Sequence, residues 1–381
     1  MKTRIAVIAA CLIVAACSAN AQQTITKTMM HNGVTRSYIV YIPRIYTGTS
    51  KVPLFFNFHG FGMSAWDQMN YCNFRPAADT AGFILVHPQG TLFYGVTHWN
   101  VGGWTLGSSA DDVGFTSAMI DTLASLYSID LKRVYCAGFS NGGFFSFELA
   151  CRIGNKIAAI GSTGGSMTPE TYANCNPAHP TPVIQIHGTS DATVHYNGET
   201  WSKPIDQVLS YWTNFNRTDR VPDQSNIPDS NTSDGSTVEH YVYNNGNKCT
   251  SVEHFKVISG GHTWPGSAGG ANMDINASGV IWNFVSKFDI NGLMGCSTSG
   301  IDSSTVEFPE VEAFPNPTLG IITIRNTFPK NTEYVIMSSK GQILNRGVIN
   351  SINNRINLSL FPSNIYFIKI GQQYLKIIKY D

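Results

Sequence analysis

Residues 134–143 read VYCAGFSNGG. The first six of them, 134–139, form an apolar run of the kind that makes a buried strand, and 142–152 carry a helical pattern. Between the two lies Gly138-Phe139-Ser140-Asn141-Gly142, a G-x-S-x-G segment whose position between strand and helix says more than the pattern itself. A serine on so sharp a turn must take unusual dihedrals, so its close neighbours must lack a Cβ. The N-terminus of the helix behind it then favours negative charge developing beside the hydroxyl.

The flanking sequence extends the same pattern. Segments 54–58 (LFFNF), 83–87 (FILVH), 158–162 (AAIGS), 183–187 (VIQIH) and 255–258 (FKVI) read as strands. Most are continuous apolar runs, as in a sheet covered on both faces. Over 112–127, Val113, Met119, Ile120, Leu123, Leu126 and Tyr127 fall largely on one helical stripe, and 207–215 also reads as helix. Strands alternating with helices predict an α/β fold with a mostly parallel central sheet. The texture then changes twice. Residues 216–248, rich in Asn, Asp and Ser, read as an excursion over the surface, and 297–305 (STSGIDSST) as a flexible linker. Beyond it, short Ile/Val/Tyr-rich runs at 321–324, 334–337, 365–370 and 374–378 are separated by Pro, Asn and Gly. They predict a small antiparallel β-sandwich. The expected organisation is a signal peptide at 1–21, a catalytic α/β domain at 22–296, a linker at 297–308 and a C-terminal β-sandwich at 309–381.

Composition narrows the function classes. Lys+Arg and Asp+Glu are both 25 in 381 residues, which excludes a strongly basic nucleic-acid surface or an acidic tail as the main theme. A hydrophobic share of 43% supports a large core and excludes global disorder. The first 21 residues, MKTRIAVIAACLIVAACSANA, combine Lys2 and Arg4, an apolar run, and small residues at Ala19-Asn20-Ala21. This is the pattern of a secretory signal peptide, too short for a spanning helix of about 20 apolar residues. Val14-Ala15-Ala16-Cys17 offers a rival lipoprotein cut that would lipidate Cys17. No later stretch is apolar and long enough to span a bilayer, so a soluble mature protein is expected. Apart from Cys11 and Cys17, the cysteines are Cys72, Cys136, Cys151, Cys175, Cys249 and Cys296. Export permits disulfides, and the sequence leaves their pairing open. Cys136 falls in a predicted buried strand, where a free thiol fits as well as a bridge.

An activated serine needs a base, an orienting acid and an oxyanion hole. In α/β-hydrolases the chain order is serine, acid, histidine. Downstream of Ser140, strand 183–187 runs into His187-Gly188-Thr189-Ser190-Asp191, which puts Asp191 just past a strand end, where ligands gather in open α/β sheets. Strand 255–258 leads into Gly260-Gly261-His262-Thr263-Trp264-Pro265-Gly266, with His262 in a Gly-rich loop. Upstream, 54–58 leads into His59-Gly60-Phe61-Gly62, a loop able to offer the Phe61 N–H to an oxyanion alongside that of Asn141. The candidates are therefore Ser140, Asp191 and His262 for catalysis and the backbone N–H groups of Phe61 and Asn141 for the oxyanion. Trp264, Trp104 and His59 are candidates for substrate contact. Core packing is the competing reading of Trp99 and Trp104, and a structural hold on the oxyanion loop that of His59. Asp111 and Asp112 precede a helix and read as cap and dipole contacts. On a helix the spacing of His187, Asp191 and His195 would suit a metal. Gly188 and the Thr189-Ser190 pair argue against a helix there, so no metal site is expected.

Segments 54–62, Asp111-Asp112-Val113-Gly114-Phe115, 133–143, 187–191 and 260–266 together resemble the secreted esterase group of polyhydroxybutyrate depolymerases and feruloyl or acetylxylan esterases. GGHTWPG is the most specific part. The resemblance implies Ser140 as nucleophile, Asp191 as acid and His262 as base. It departs at Val194-His195-Tyr196, where many relatives carry V-P-Y, a change expected to alter pocket shape. In the tail, Phe314-Pro315-Asn316-Pro317-Thr318-Leu319-Gly320, with 358–370 and 374–379, resembles a type IX secretion sorting domain. That implies a Bacteroidota-type bacterium, export across the outer membrane, and then removal of the tail or surface attachment.

The expectation is a secreted or cell-surface serine ester hydrolase acting through an acyl-enzyme on feruloyl or acetyl esters of plant polysaccharide. Polyhydroxybutyrate or another polyester is the alternative substrate. A non-catalytic surface-displayed binding protein is the alternative of another class. The expected partners are a polymeric ester and the type IX machinery, with no nucleic acid, no transmembrane segment, and no metal or organic cofactor. The rate should fall below about pH 6, as an imidazole base takes up its proton.

Overall fold

Alternation inside the apolar runs decides the architecture. In β3 (Val52–Phe58), Leu54, Phe56 and Phe58 enter one hydrophobic core while Phe55 enters another, and both sets are fully buried. A strand with core on both sides cannot lie at a solvated surface, so helices must cover both faces. The computed structural model, which describes residues 22–269, 271–296, 312–325, 331–339, 341–349, 353–370 and 373–380, has this arrangement. The predicted signal peptide, with Cys11 and Cys17, and the predicted linker 297–308 lie outside the described residues. The chain divides into two compact units, Met1–Cys296 and Ser297–Asp381.

The first unit is built on a ten-stranded sheet. Its strands are β1 (Gln23–His31), β2 (Val34–Ile42), β3, β4 (Ile84–Pro88), β7 (Ile129–Phe139), β8 (Ala159–Thr163), β9 (Val183–Gly188), β10 (Asp223–Asn226), β11 (Thr237–Tyr243) and β12 (Val252–Ile258), in the order β1-β2-β4-β3-β7-β8-β9-β12-β11-β10. The six central strands, β4 to β12, run parallel, and the edge pairs β1–β2 and β10–β11 join antiparallel. A short hairpin, β5 (Thr91–Phe93) and β6 (Val96–His98), stands apart from the sheet.

The helices are α1 (Ala65–Tyr71), α2 (Arg75–Ala81), α3 (Asp112–Leu126), α4 (Asn141–Arg152), α5 (Pro169–Asn174), α6 (Ile205–Asn216) and α7 (Ala277–Val285). One core takes Phe115 and Leu123 of α3, Phe144 and Phe145 of α4, and Trp212 of α6. The opposite core takes Ala78 of α2 and Ile281 and Phe284 of α7. In that second core Phe55 packs its ring on Phe74 at 4.6 Å and Phe83 at 5.6 Å. Truncating such a side chain to alanine costs about 3–5 kcal/mol.

The polar segment 216–248 departs from its sequence reading. It holds α6's last residue and then β10 and β11, which extend the sheet. All four residues of β10 are exposed, so backbone pairing alone makes that strand and no apolar pattern marks it. Disulfides join Cys151 to Cys175 and Cys249 to Cys296, while Cys72 and Cys136 are free and buried. Among the described residues no helix is long and apolar enough to cross a membrane.

The second unit contains two small antiparallel sheets. Following a two-residue ribbon in the first unit, β13 (Phe288–Asp289) and β14 (Gly292–Leu293), its strands are β15 (Glu312–Phe314), β16 (Ile321–Arg325), β17 (Thr332–Ser338), β18 (Ile343–Ile349), β19 (Asn353–Asn357), β20 (Asn364–Ile370) and β21 (Gln373–Lys379). Sheets β15-β16-β19 and β18-β17-β20-β21 share one aliphatic core of Ile322, Ile324, Ile336, Ile356, Ile368 and their neighbours. The Pro-Asn-Pro loop is fastened to β21 by Asn316. Its amide donates to Lys376 O at 2.7 Å, and its carbonyl accepts the Ile378 N–H at 2.9 Å.

Candidate active site

Four loops leave the C-terminal ends of parallel strands β3, β7, β9 and β12, and each carries one element of the predicted site. Ser140 is the single residue between β7 and α4, with φ 52° and ψ −120°. This positive φ is costly for a residue with a Cβ and marks a turn that its surroundings over-determine. The Ser140 N–H is tied to Thr163 O at 2.9 Å, and Ser140 O accepts the Gly143 N–H at 2.8 Å. Tight approach explains the second glycine of the motif, since a Cβ on Gly142 would overlap Phe58 O.

Asp191 lies three residues past β9 and is 3% exposed. Its Oδ1 accepts the N–H groups of Thr193 at 2.9 Å and Val194 at 2.8 Å, and its Oδ2 meets His262 Nδ1 at 2.7 Å. Burial pushes this carboxyl upward, but the bond and charge of His262, the Val194 N–H and the charge of His187 outweigh it, so Asp191 stays below the usual carboxylate range. The loops after β9 and β12 are also fastened to each other. Ser190 N–H donates to Gly260 O at 2.9 Å, and Ser259 N–H to Thr189 Oγ1 at 2.9 Å.

His262 keeps part of its ring open to solvent. Its partners assign the proton to Nδ1, facing Asp191, and leave Nε2 as a basic acceptor. The ring rests on Phe139, the residue before Ser140, with centroids 4.8 Å apart. It also borders Gly164 next to β8, where an added Cβ would stand 3.2 Å from His262 Cε1. The Ser140 hydroxyl makes no hydrogen bond to a described residue. Bonds between nucleophile and base are commonly loose without substrate and tighten in the Michaelis complex.

Phe61 follows β3 in a turn and is 41% exposed. Asn141 is the first residue of α4, so its N–H has no acceptor within the helix. Its buried side chain pairs with the Trp99 backbone in both directions, accepting the N–H at 2.7 Å and donating to the carbonyl at 3.1 Å. Trp99 in turn donates its indole N–H to His59 O at 2.9 Å. The start of α4 and the loop after β3 are thus joined through one buried tryptophan.

Two of the predicted substrate contacts are corrected by burial. His59 is fully buried, with Nδ1 donating to Gly60 O at 2.8 Å and Nε2 accepting the Gly90 N–H at 2.9 Å. Burial lowers its pKa to about 4, so it stands as a neutral brace of the loop after β3, with both ring nitrogens engaged by backbone. Trp264 is 2% exposed, packed on Phe74 and Phe139, with its indole N–H on Ser278 Oγ at 3.2 Å. It backs Phe139, on which the His262 ring rests. Trp104 is half-buried and packed against the first core, its ring steeply inclined to Phe144 at 5.0 Å and to Trp201 at 4.9 Å.

Residues outside the predicted set also shape the site. His187 is fully enclosed, its Nε2 donating to Val194 O at 2.8 Å and lying 3.5 Å from Asp191 Oδ2. Its Nδ1 accepts from Gln185 Nε2 at 3.1 Å. The spacing of His187 to Asp191 was visible in the sequence as metal geometry only; in the fold it is a second hold on the Asp191 carboxylate. His195 faces solvent and pairs with Glu199, away from that arrangement. Among the described residues no group of three or more His, Cys, Asp or Glu is placed to hold a metal ion. Asp111 caps α3 by accepting the Gly114 N–H at 2.9 Å, and Asp112 forms a buried ion pair with Arg36 at 2.6 Å.

Residues 112–221 match the phospholipase/carboxylesterase family, and residues 312–380 match the secretion system C-terminal sorting domain. A bifunctional acetylxylan esterase/xylanase of Neocallimastix patriciarum is 28% identical over 75% of this chain, and feruloyl esterase B of Piromyces equi is 30% identical over 67% of it. The chain spans less than half of these relatives, 38% and 46% of their lengths. Among solved structures, an acetyl xylan esterase from Aspergillus awamori superimposes with a TM-score of 0.51 at 13% identity, covering 69% of this chain and 99% of that one. At that identity the likeness is one of fold, the α/β-hydrolase fold.

Proposed function

We propose that this chain, an α/β-hydrolase with homologues among feruloyl and acetylxylan esterases and a secretion sorting domain at its C-terminus, is an exported serine carboxylic ester hydrolase. The observation that carries the reading is the 2.7 Å contact between His262 Nδ1 and the buried carboxylate of Asp191, beside a serine held at positive φ. A binding protein would have no need of a strained serine turn whose neighbour Phe139 carries an imidazole oriented by a buried carboxylate.

In this mechanism His262 Nε2 takes the Ser140 proton as Oγ attacks the ester carbonyl carbon. The backbone N–H groups of Phe61 and Asn141 hold the oxyanion, and loss of one such donor costs about 10²–10³ in rate. Asp191 keeps the proton on Nδ1 and stabilises the imidazolium, while His187 and the Thr193 and Val194 N–H groups keep Asp191 in place. As the tetrahedral species collapses, Nε2–H protonates the departing alcohol oxygen. Nε2 then takes a proton from water, whose oxygen attacks the acyl carbon. Ser140 regains its proton and the carboxylic acid leaves.

The substrate class is acetyl or feruloyl esters on plant polysaccharide, supported by the relatives named above. The sorting domain supports export through a type IX system, followed by release or surface attachment. Hydrolysis of p-nitrophenyl acetate should fall at least about 10⁴-fold in Ser140→Ala. Turnover indifferent to that change removes the nucleophile. Acetylated xylan, methyl ferulate and polyhydroxybutyrate film assayed side by side should rank the film last; cleavage of the film alone moves the substrate to polyester.

A further inference from the structure

The β5–β6 hairpin is built in a way that folding stability does not require. Its two turn residues, Tyr94 and Gly95, both have left-handed φ, 49° and 81°. Such a turn ordinarily takes Asn or Gly at its first position, because a Cβ is strained there. Here the position holds a tyrosine that is 92% exposed, next to Leu92 at 69%. The Tyr94 ring touches the neighbouring Phe93 ring, centroids 4.4 Å apart, and is otherwise turned outward. Strain combined with exposed apolar surface points to something the hairpin presents rather than something it buries.

The hairpin is also fastened to the candidate active site. Thr97 O accepts the Gly62 N–H at 2.8 Å, and Thr97 Oγ1 donates to Met63 O at 2.7 Å. Strand β6 is thereby joined to the loop that carries Phe61. Across the hairpin Leu92 pairs with Thr97, so β5 lies one strand further out. On that outer side opens a cleft of about 470 Å³. Leu92, Phe93 and Val34 line it with apolar surface, and Asn32, Ser109 and Asp111 line it with polar groups. Asp111 Oδ2 is already oriented by His31 Nε2 and Asn32 Nδ2, each at 2.9 Å, while its side chain stays 48% exposed. An apolar strip opposite a few fixed donors and acceptors suits a ligand with a C–H face and a hydroxyl edge, which is the chemistry of a sugar ring.

We propose that this cleft is a secondary subsite for one sugar residue of a polysaccharide whose ester, on another residue of the same polymer, lies at Ser140. Strand β6 is bonded to Gly62 and β5 pairs with β6, so the hairpin stands between the loop that carries Phe61 and the cleft that Leu92 and Phe93 line, a separation that a polymer spans and a simple ester does not. The inference rests on the ester-hydrolase reading, and its test keeps the two apart.

The test uses the full chain and a Leu92→Ser/Asn32→Ala variant, with Leu92→Ser alone as a second variant that leaves Asn32 at its left-handed turn position and so secures folding. The ratio of kcat/KM on acetylated xylan to kcat/KM on p-nitrophenyl acetate should fall about ten-fold in the first variant, chiefly through KM on the polymer. Leu92→Ser alone should lower the ratio in the same direction, by a smaller factor. An unchanged ratio in both variants overturns the subsite, and so does a loss confined to polyhydroxybutyrate film. Calorimetric binding of unesterified xylohexaose to Ser140→Ala, lost when Leu92→Ser/Asn32→Ala is added, reads the cleft without catalysis. If the unaltered protein fails on every ester yet binds xylohexaose at the cleft, the hydrolase reading fails while the subsite stands.

Discussion

The two units bury their sheets differently. In the first, six parallel strands lie under helices on both faces, and side chains such as Phe55 and Phe56 enter opposite cores from one strand. The loops after β3, β7, β9 and β12 hold Phe61, Ser140, Asp191 and His262, while the strands themselves bury hydrogen-bonded polar side chains such as Asn57, Gln185 and His254. In the tail the named strands pair antiparallel and close over a single core made almost wholly of isoleucine. The first unit buries several ionisable groups, among them His59, His87, His187, His254 and Asp191, whereas no histidine occurs after residue 296 and the tail buries the stem of Lys379. A doubly covered sheet concentrates and over-determines polar chemistry at one edge, and a two-layer sandwich has no equivalent place to put it.

The sharpest way to break this contrast is at the acid. Asp191→Asn removes the charge that orients His262, and kcat on p-nitrophenyl acetate should fall about 10³–10⁴-fold, because the ring would then be held in the wrong tautomer. A loss under tenfold would mean that the carboxylate is structural.

The next effect separates the units by pH. In an unfolded chain each imidazole takes up its proton near pH 6.5 or so. Within the fold burial lowers His59 to about 4 and His87 and His254 to about 3. Between those values the unfolded state binds more protons, so the stability these rings contribute is intact above the unfolded pKa and drains away as the pH falls toward the folded ones. Each ring costs about 1.4 kcal/mol per pH unit over that window. Calorimetry should show the transition of the first unit nearly level from pH 8 to 6.5 and then dropping steeply, with the tail transition free of any histidine contribution. A first-unit transition still level at pH 4.5 would contradict the buried neutral rings.

The smallest effect is confined to the tail. Ile368 is fully buried in the sandwich core, and Ile368→Ala should destabilise that unit by about 2–5 kcal/mol. Ester turnover should stay at the level of the unaltered chain, and a matching loss of activity would show that the two units are not independent.

Much of this was legible because the central strands are the least ambiguous part of any such chain. Segments 54–58, 134–139, 183–187 and 255–258, and all but the first residue of 158–162, fall in parallel strands. The edges were harder. Strand β10 is wholly exposed and β11 mostly half-buried, so neither carries the apolar signal that betrayed β9. Within the site, loop positions could be read from motif and strand end, but depth could not. His59 and Trp264 stand next to loops that face the site and still point inward, because neighbouring backbone groups and aromatic rings satisfy them there.

From residue order alone came the α/β class, the antiparallel tail, and the serine, acid and histidine in the sequence expected of strand-end loops. Those features depend on local period and on glycine and turn chemistry, which every short stretch of chain carries with it. Which cysteines pair, which rings are sealed from solvent, that His187 braces Asp191, and that the β5–β6 hairpin is bonded to the loop carrying Phe61 were decided by the tertiary structure. Each of these depends on groups far apart in the chain, such as Asp191 and His262 at 71 residues' separation, and local sequence holds no record of the distance that closes between them.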